Sequence, residues 1–480
     1  MENWLIKRAY ISPNKLAVTD GKINLTFQEL KNKTNLLAGK LKKLQIFQDK
    51  NIALISNNTI KGYLLALSIL TAGHTIVWLN KRLSIPELEK QIQDSNVKTC
   101  LIEDNLWNSP LAEKNFKFSD IYQTTSVNFQ PIEQFDLNSV ASIMYTSGTT
   151  GKPKGILQTF GNHFYSAISS ALNLGLFESD QWLCVLPIFH ISGFSIIMRG
   201  LIYGNSVYLV SHFDATLINY LLTKKPISII SLVPVTLKQL LEEKEKQKIT
   251  YQKKFRCVLL GGGPVNKEDL EKCRQLSIPV VQCYGMTETC SQIIALDFKD
   301  AQKEIGSVGK PLFLNQLKFN PHNQEILIKS PALTPGYLNN PKLFGKKISK
   351  DGWYHTGDVG YLNADGFLFI SGRLDDMIVS GGENVFPTEI EKIYQAFPKI
   401  ESIAVVGKND PKWGQVPIAY VKSYDKSLSA KELKDFGRKK IAHYKIPKEF
   451  YLVKNLPKNI SGKIQHYKLR NKVIKNKQLL

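Results

Sequence analysis

Val140-Ala141-Ser142-Ile143-Met144-Tyr145 runs directly into Thr146-Ser147-Gly148-Thr149-Thr150-Gly151-Lys152-Pro153-Lys154-Gly155, and this join decides how the chain is read. The six apolar-rich residues have the composition of a buried strand. After them, glycines let backbone N–H groups converge on an anion. Thr146, Ser147, Thr149 and Thr150 add hydroxyl donors, and Lys152 and Lys154 add charge. The run is therefore a phosphate-binding loop by its chemistry. It is not the Walker form, because Gly148 is not followed four residues later by Gly-Lys-Ser/Thr. A flexible Ser/Gly linker would share the composition but not the setting between a buried strand and a second apolar stretch.

Outward from the loop, short apolar runs alternate with helical stretches. Ile52–Ile55, Trp182–Leu186, Ile227–Ile230 and Cys257–Leu260 read as further buried strands, which is α/β punctuation. The stretch from Leu64 to Leu79 is broken by Thr71, Gly73, His74 and Thr75, so a buried helix running into a strand is expected rather than a membrane span. Met1-Glu2-Asn3-Trp4 has no basic segment followed by an apolar one, so no signal peptide is visible and a cytoplasmic location without a membrane partner is expected. A length of 480 residues exceeds the roughly 250–300 that one core organises. Asp375-Asp376 opens a smaller, more basic segment, which sets the expected domains at 1–374 and 375–480.

The formal net charge is +22. From Asp376 to Leu480 there are 21 Lys plus Arg against 10 Asp plus Glu, so half of the excess sits in the last fifth of the chain. The basic residues are mostly scattered lysines without an RNP motif, finger or Arg-rich run, which argues against nucleic acid as a partner. A small basic domain could instead steer a polyanion such as a nucleotide or coenzyme A; a solvated lysine surface is the plainer alternative. Six cysteines at irregular spacing form no C-x-x-C pair and read as small buried residues.

Further motifs follow in order: Leu25-Thr26-Phe27-Gln28-Glu29-Leu30, Leu186-Pro187-Ile188-Phe189-His190, Gly261-Gly262-Gly263-Pro264, Tyr284-Gly285-Met286-Thr287-Glu288-Thr289, Tyr354-His355-Thr356-Gly357-Asp358, Gly372-Arg373-Leu374-Asp375-Asp376 and Ser461-Gly462-Lys463. By chemistry alone, Tyr284 can stack an adenine, Thr287 can donate to a phosphate and Glu288 can hold Mg²⁺. Asp358 offers acceptors suited to ribose hydroxyls, and Arg373 can reach ribose or phosphate. Taken together with the phosphate loop, the series resembles the adenylate-forming superfamily of acyl-CoA synthetases, adenylation domains and luciferases over essentially the whole chain.

The resemblance implies an α/β fold, a large N-terminal domain with sheets flanked by helices plus a small α+β C-terminal lid domain joined by a hinge at Asp375. It implies ATP, Mg²⁺ and coenzyme A as reactants with a small carboxylic acid. It also implies Lys463 as the adenylation lysine, the residues from Thr146 to Gly151 with Lys154, Gly262 and Gly263 around the nucleotide, and Gly382 on the coenzyme A side. His190 falls where the superfamily places a gate at the acyl pocket. Amino-acid-activating members usually carry Phe-Asp there, so Phe189-His190 disfavours an amino acid.

Within the superfamily the sequence most resembles the 2-succinylbenzoate–CoA ligases of menaquinone biosynthesis. The runs that carry this are Gln158 to His163, Ser170 to Gly175, His190 to Gly193, Tyr284 to Gln292 and Ser380 to Asn384. That likeness implies Ser291 and Arg199 at the substrate, the latter facing its second carboxylate, since a guanidinium fork suits carboxylate pairing. A surface arginine on a helix is the alternative for Arg199. Other acyl- or aryl-CoA synthetases and enzymes that load a carrier protein are the alternative functions. Gln324 departs from the family, which commonly has Gly there. Oligomeric state is not legible.

Overall fold

The computed structural model describes residues 1–146, 153–425, 427–458, 464–470 and 478–480. They fall into two compact units, one of Met1–Gln316 with Lys329–Trp353, the other of Leu317–Ile328 with Tyr354–Leu480. This division falls at Trp353/Tyr354, ahead of the boundary expected at Asp375. The strands after Trp353 pair back onto Glu325–Lys329, so sheet pairing groups them with the C-terminal residues.

The large unit holds two sheets. One has six strands in the order Lys114–Lys117, Thr99–Ile102, Asn51–Ile55, Thr75–Trp78, Val140–Thr146, Lys154–Thr159. It is parallel except for the last pair, where the phosphate-loop hairpin turns back on itself. The other has nine, in the order Lys310–Pro311, Ser291–Ala295, Val280–Met286, Cys257–Leu260, Ile229–Leu232, Gln181–Cys184, Ser206–Leu209, Leu16–Thr19, Asn24–Thr26. The largest apolar cluster draws on both sheets, through Leu54 and Trp78 from one and Trp182 and Val207 from the other, with helices Ile60–Thr71 and Ile191–Tyr203 between. Ile60–Thr71 is buried all round except at Lys61, and such a helix belongs inside a core. Its chain then turns through Gly73 at φ 80° into Thr75–Trp78, the helix-to-strand passage expected for Leu64–Leu79. The Thr26 motif proves to be a capping box: Thr26 and Glu29 satisfy each other's backbone N–H at the start of Phe27–Lys43.

The smaller unit carries an antiparallel four-stranded sheet and a second sheet built on the long pair Ile400–Asp410 and Gly414–Ser423, with helices Pro387–Gln395 and Ala430–Arg438. It has a core of its own around Ile390, Tyr394, Val405, Leu433 and Phe450. Gln324 sits at φ 57° in the turn before Glu325–Lys329, the left-handed region that glycine enters without cost. Five of the six cysteines are buried as expected, and Cys283 is half-buried. Among the described residues no helix is long and apolar enough to cross a membrane.

Candidate active site

Val140–Thr146 and Lys154–Thr159 pair antiparallel with Thr146 opposite Lys154, so two nucleotide candidates stand at the same end of the hairpin. Ser147, Gly148, Thr149, Thr150 and Gly151 lie outside the described residues, as does Lys463. The Lys154 ammonium is 5.6 Å from the centre of the Tyr337 ring. The Tyr337 hydroxyl in turn donates to Glu288 Oε1 at 3.4 Å, so one ring spans the loop lysine and the carboxylate.

Tyr284 is delivered by Val280–Met286, which pairs antiparallel with Ser291–Ala295 across a one-turn 3-10 helix over Thr287–Thr289. The return is tight. A Cβ on Gly285 would sit 2.0 Å from Ser291 O, so the strand pair closes only around glycine. Cys290 and Ser291 make the reversal at φ 51° and 107°, conformations that cost a side-chain-bearing residue about 1–3 kcal/mol. The turn is held from both ends. Met286 N donates to Thr289 Oγ1 at 2.9 Å, Thr289 Oγ1 donates to Ser291 O at 2.8 Å, and Glu288 O accepts from Thr334 N at 2.7 Å. Tyr284, Thr287, Glu288 and Ser291 thus come together on one strand-turn-strand. Gly262 and Gly263 follow the parallel neighbour Cys257–Leu260 and are exposed, Gly262 at φ 83°.

Arg199 lies inside the helix Ile191–Tyr203 and is 1% exposed, which excludes the surface alternative. Its Nη2 donates to Ser291 Oγ at 3.2 Å and Gln292 Oε1 at 3.4 Å, and the guanidinium stands 5.3 Å from the Trp182 ring centre. Gln292 is itself held, through Nε2, on Ser170 Oγ at 3.1 Å. Arg199 Nε has no partner, and no carboxylate among the described residues pairs with the cation. A buried cation in this condition is costly unless an anion arrives. His190 occupies the N-cap position of the same helix without a side-chain capping bond. Burial first, and Arg82 second, push its imidazole down to about 4, so it is neutral near pH 7; Nε2 is enclosed without a hydrogen-bond partner.

In the smaller unit, Asp358 and Arg373 are cross-strand partners, with Arg373 Nη1 donating to Asp358 Oδ1 at 2.9 Å and to Thr356 O at 3.0 Å. Asp375 is exposed in the short turn Leu374–Asp376. Its carbonyl accepts from Arg470 Nη1 at 2.6 Å, and Asp376 pairs with Arg470 at 2.9 Å. Gly381 and Gly382, at φ 60° and 88°, turn the hairpin between Ile378–Ser380 and Glu383–Val385, the two-residue geometry that favours glycine.

Magnesium fits this donor set. It keeps its waters and takes one or two carboxylates plus substrate phosphates, so Glu288 alone at the turn suits it. Sequence reasoning missed Ser142, Gln158, His163, Trp182, Gln292 and Tyr337 as site residues. Gln158, His163 and Gln292 stood in signature runs, yet only the fold shows that their side chains point inward.

Residues 5–338 match the family model described as AMP-binding enzyme, and residues 389–463 match the AMP-binding enzyme C-terminal domain. A 2-succinylbenzoate–CoA ligase of Listeria innocua is 46% identical over 476 residues, which covers 98% of this chain and 99% of the relative. One from Geobacillus sp. is 40% identical over 488 residues, covering 99% and 98%. Among solved structures, o-succinylbenzoate CoA synthetase from Bacillus subtilis in complex with the acyl-adenylate intermediate OSB-AMP superposes with a TM-score of 0.93 at 36% identity, covering 99% of this chain and 98% of that one. The same enzyme with ATP and magnesium ion gives 0.91 at 36%, covering 98% and 99%. Matched along nearly its whole length in sequence and in structure, the chain belongs to the AMP-binding enzyme family, among the 2-succinylbenzoate–CoA ligases.

Proposed function

We propose that this chain is an ATP-dependent acid–thiol ligase that activates 2-succinylbenzoate and transfers it to coenzyme A, a step of menaquinone biosynthesis. In the first half-reaction a carboxylate oxygen attacks the ATP α-phosphorus, the bond to the β-phosphate bridging oxygen breaks, and acyl-AMP and pyrophosphate form. In the second, the thiol sulfur attacks the acyl carbon, the carbon–oxygen bond to AMP breaks, and the thiol proton is released. Magnesium at Glu288 supplies neutralisation of phosphate charge.

The chain's own residues divide the remaining work. Tyr284 stacks the adenine, Gly262 and Gly263 let backbone approach the nucleotide, Thr287 and Lys154 donate to phosphate, and the Asp358–Arg373 pair serves the ribose. Lys463 bridges the carboxylate and the α-phosphate. Neutral His190 borders the acyl pocket without adding a charge. Rotation about Asp375 then withdraws Lys463 and brings Gly382 towards the pantetheine arm, a hinge-type change. With soluble ATP and coenzyme A as co-substrates, the cytoplasm is the proposed location.

One observation carries the choice of acid: a buried guanidinium, steadied by Ser291 and Gln292, with no carboxylate among the described residues to neutralise it. A diacid has one carboxylate to activate and a second to pair there. The test is pyrophosphate release with a panel of acids, followed by loss of free thiol from coenzyme A. Saturable turnover with 2-succinylbenzoate, and weak turnover with benzoate and fatty acids, supports the reading. Equal use of monoacids overturns it.

A further inference from the structure

Five residues of the large unit form a circuit of hydrogen bonds that begins and ends on the Thr287–Cys290 turn. Gln158 Nε2 donates to Thr287 O at 3.1 Å, and Ser142 Oγ donates to Gln158 Oε1 at 2.9 Å. His163 Nε2 lies 3.0 Å from Ser142 Oγ, and His163 Nδ1 lies 3.2 Å from Cys290 Sγ. Cys290 N then donates to Thr287 O at 3.1 Å, closing the circuit. Ser142, Gln158, His163 and Cys290 are buried to within 2% of completely, so water offers none of them a substitute partner.

The direction of every bond follows from the first. A carbonyl only accepts, so Gln158 must turn its amide nitrogen to Thr287 and its oxygen to Ser142. With its proton committed to Gln158, Ser142 must accept from His163 Nε2–H. Burial, and secondarily the Arg199 cation, push His163 down to about 3, so it is neutral and Nδ1 keeps a lone pair. With Nδ1 a bare lone pair, the Cys290 thiol 3.2 Å away is the donor of that bond. No member can reverse without breaking its neighbour's bond, which is how a buried polar network specifies one geometry.

We propose that Gln158 is a positioning residue for adenylation, which through the Thr287 carbonyl and the Ser142–His163–Cys290 circuit fixes the Thr287-Glu288 turn against the strand leading into the phosphate loop. Ser142 lies on Val140–Thr146, four residues before Thr146, so the circuit ties the entry to the loop to the turn that bears Glu288. Both lone pairs of the Thr287 carbonyl are used, by Cys290 N and by Gln158 Nε2. Freeing one lets the turn shift, and a displacement near 1 Å is enough to cost about 10²-fold in rate. The inference rests on the reading that Thr287 and Glu288 act on the ATP phosphates.

The test pairs two substitutions with the two half-reactions. Gln158→Met keeps the volume and removes both hydrogen bonds; it is expected to slow pyrophosphate formation at least ~10-fold at saturating substrates, with thioester formation from supplied acyl-adenylate kept within ~2-fold. Gln158→Glu adds a pH signature. Its carboxyl, raised by burial, donates to Thr287 O when protonated and cannot when ionised. The variant-to-parent ratio of pyrophosphate rates is therefore expected to rise as the pH falls and the carboxyl protonates. A Met variant with parental pyrophosphate rate overturns the proposal. So does an equal fall in both half-reactions, or a pH-independent Glu-to-parent ratio. The parent is assayed alongside with the acid panel, so failure of the substrate reading shows in the parent and failure of this inference only in the ratios.

Discussion

On the proposed pairing, removing the Arg199 guanidinium leaves the distal carboxylate of a bound diacid desolvated and unpaired, at a cost of about 2–5 kcal/mol. Arg199→Ala is therefore expected to lower kcat/KM for 2-succinylbenzoate by about 30-fold or more at unchanged KM for ATP, each 1.4 kcal/mol being about tenfold. Arg199→Lys is milder, because it keeps the charge and loses the fork. Steady-state kinetics with the diacid and with benzoate separate these outcomes, since benzoate is indifferent to either change. His190 carries a pH consequence. An unfolded histidine protonates below about 6.5, whereas His190 in the folded protein does so only near 4. Between those values the unfolded chain binds more protons, so stability falls as the pH drops from about 6.5 towards about 4, and His163 adds a loss of the same sign. His190→Phe is expected to flatten the dependence of Tm on pH between about 7 and 5, measured by thermal melting against the parent.

The strand pair around Tyr284 is the element on which most nucleotide and substrate candidates depend. Because a Cβ on Gly285 meets Ser291 O and Gln292 Cα, Gly285→Ala must open the pair that presents Ser291 and Gln292 to Arg199. The expected result is a loss of about 1–3 kcal/mol in denaturant unfolding with a raised KM for the acid. Much of this element could be read beforehand. Apolar run length and glycine punctuation are local, so Cys257–Leu260, Val140–Tyr145 and the Leu64–Leu79 passage were legible, whereas Trp182–Leu186 ends early at Cys184, where the chain leaves the sheet for Pro187 and the next helix. Pairings between distant segments were not legible. Arg199 meets Ser291 across 92 positions, Gln158 meets Thr287 across 129, and Asp358 faces Arg373 only because two strands happen to share that register. Motif recognition named most of the candidate residues, but it could not reveal which buried amides and hydroxyls hold them in place.

At the scale of the whole molecule, the proposed cycle needs a joint that bends without disturbing either core. Asp375 is exposed, and its carbonyl is held by Arg470 within the C-terminal residues. Asp375→Pro, which fixes φ, is expected to spare pyrophosphate formation and block thioester formation in separate half-reaction assays. Unchanged rates in both would move the joint elsewhere, with the division at Trp353/Tyr354 the next place to look. The buried guanidinium has a consequence for folding as well. A cation shut away from water without an anion lowers the stability of the free protein, and a ligand that supplies the anion restores it. The diacid is thus expected to act as a thermal stabiliser even without ATP, adding about 2.7 kcal/mol at a hundred times its Kd. Arg199→Met, expected to be impaired towards 2-succinylbenzoate as Arg199→Ala is, should melt no lower than the unliganded parent and ignore the diacid in the same melt. The parent, by this reckoning, is a protein whose resting fold is incomplete until its substrate arrives.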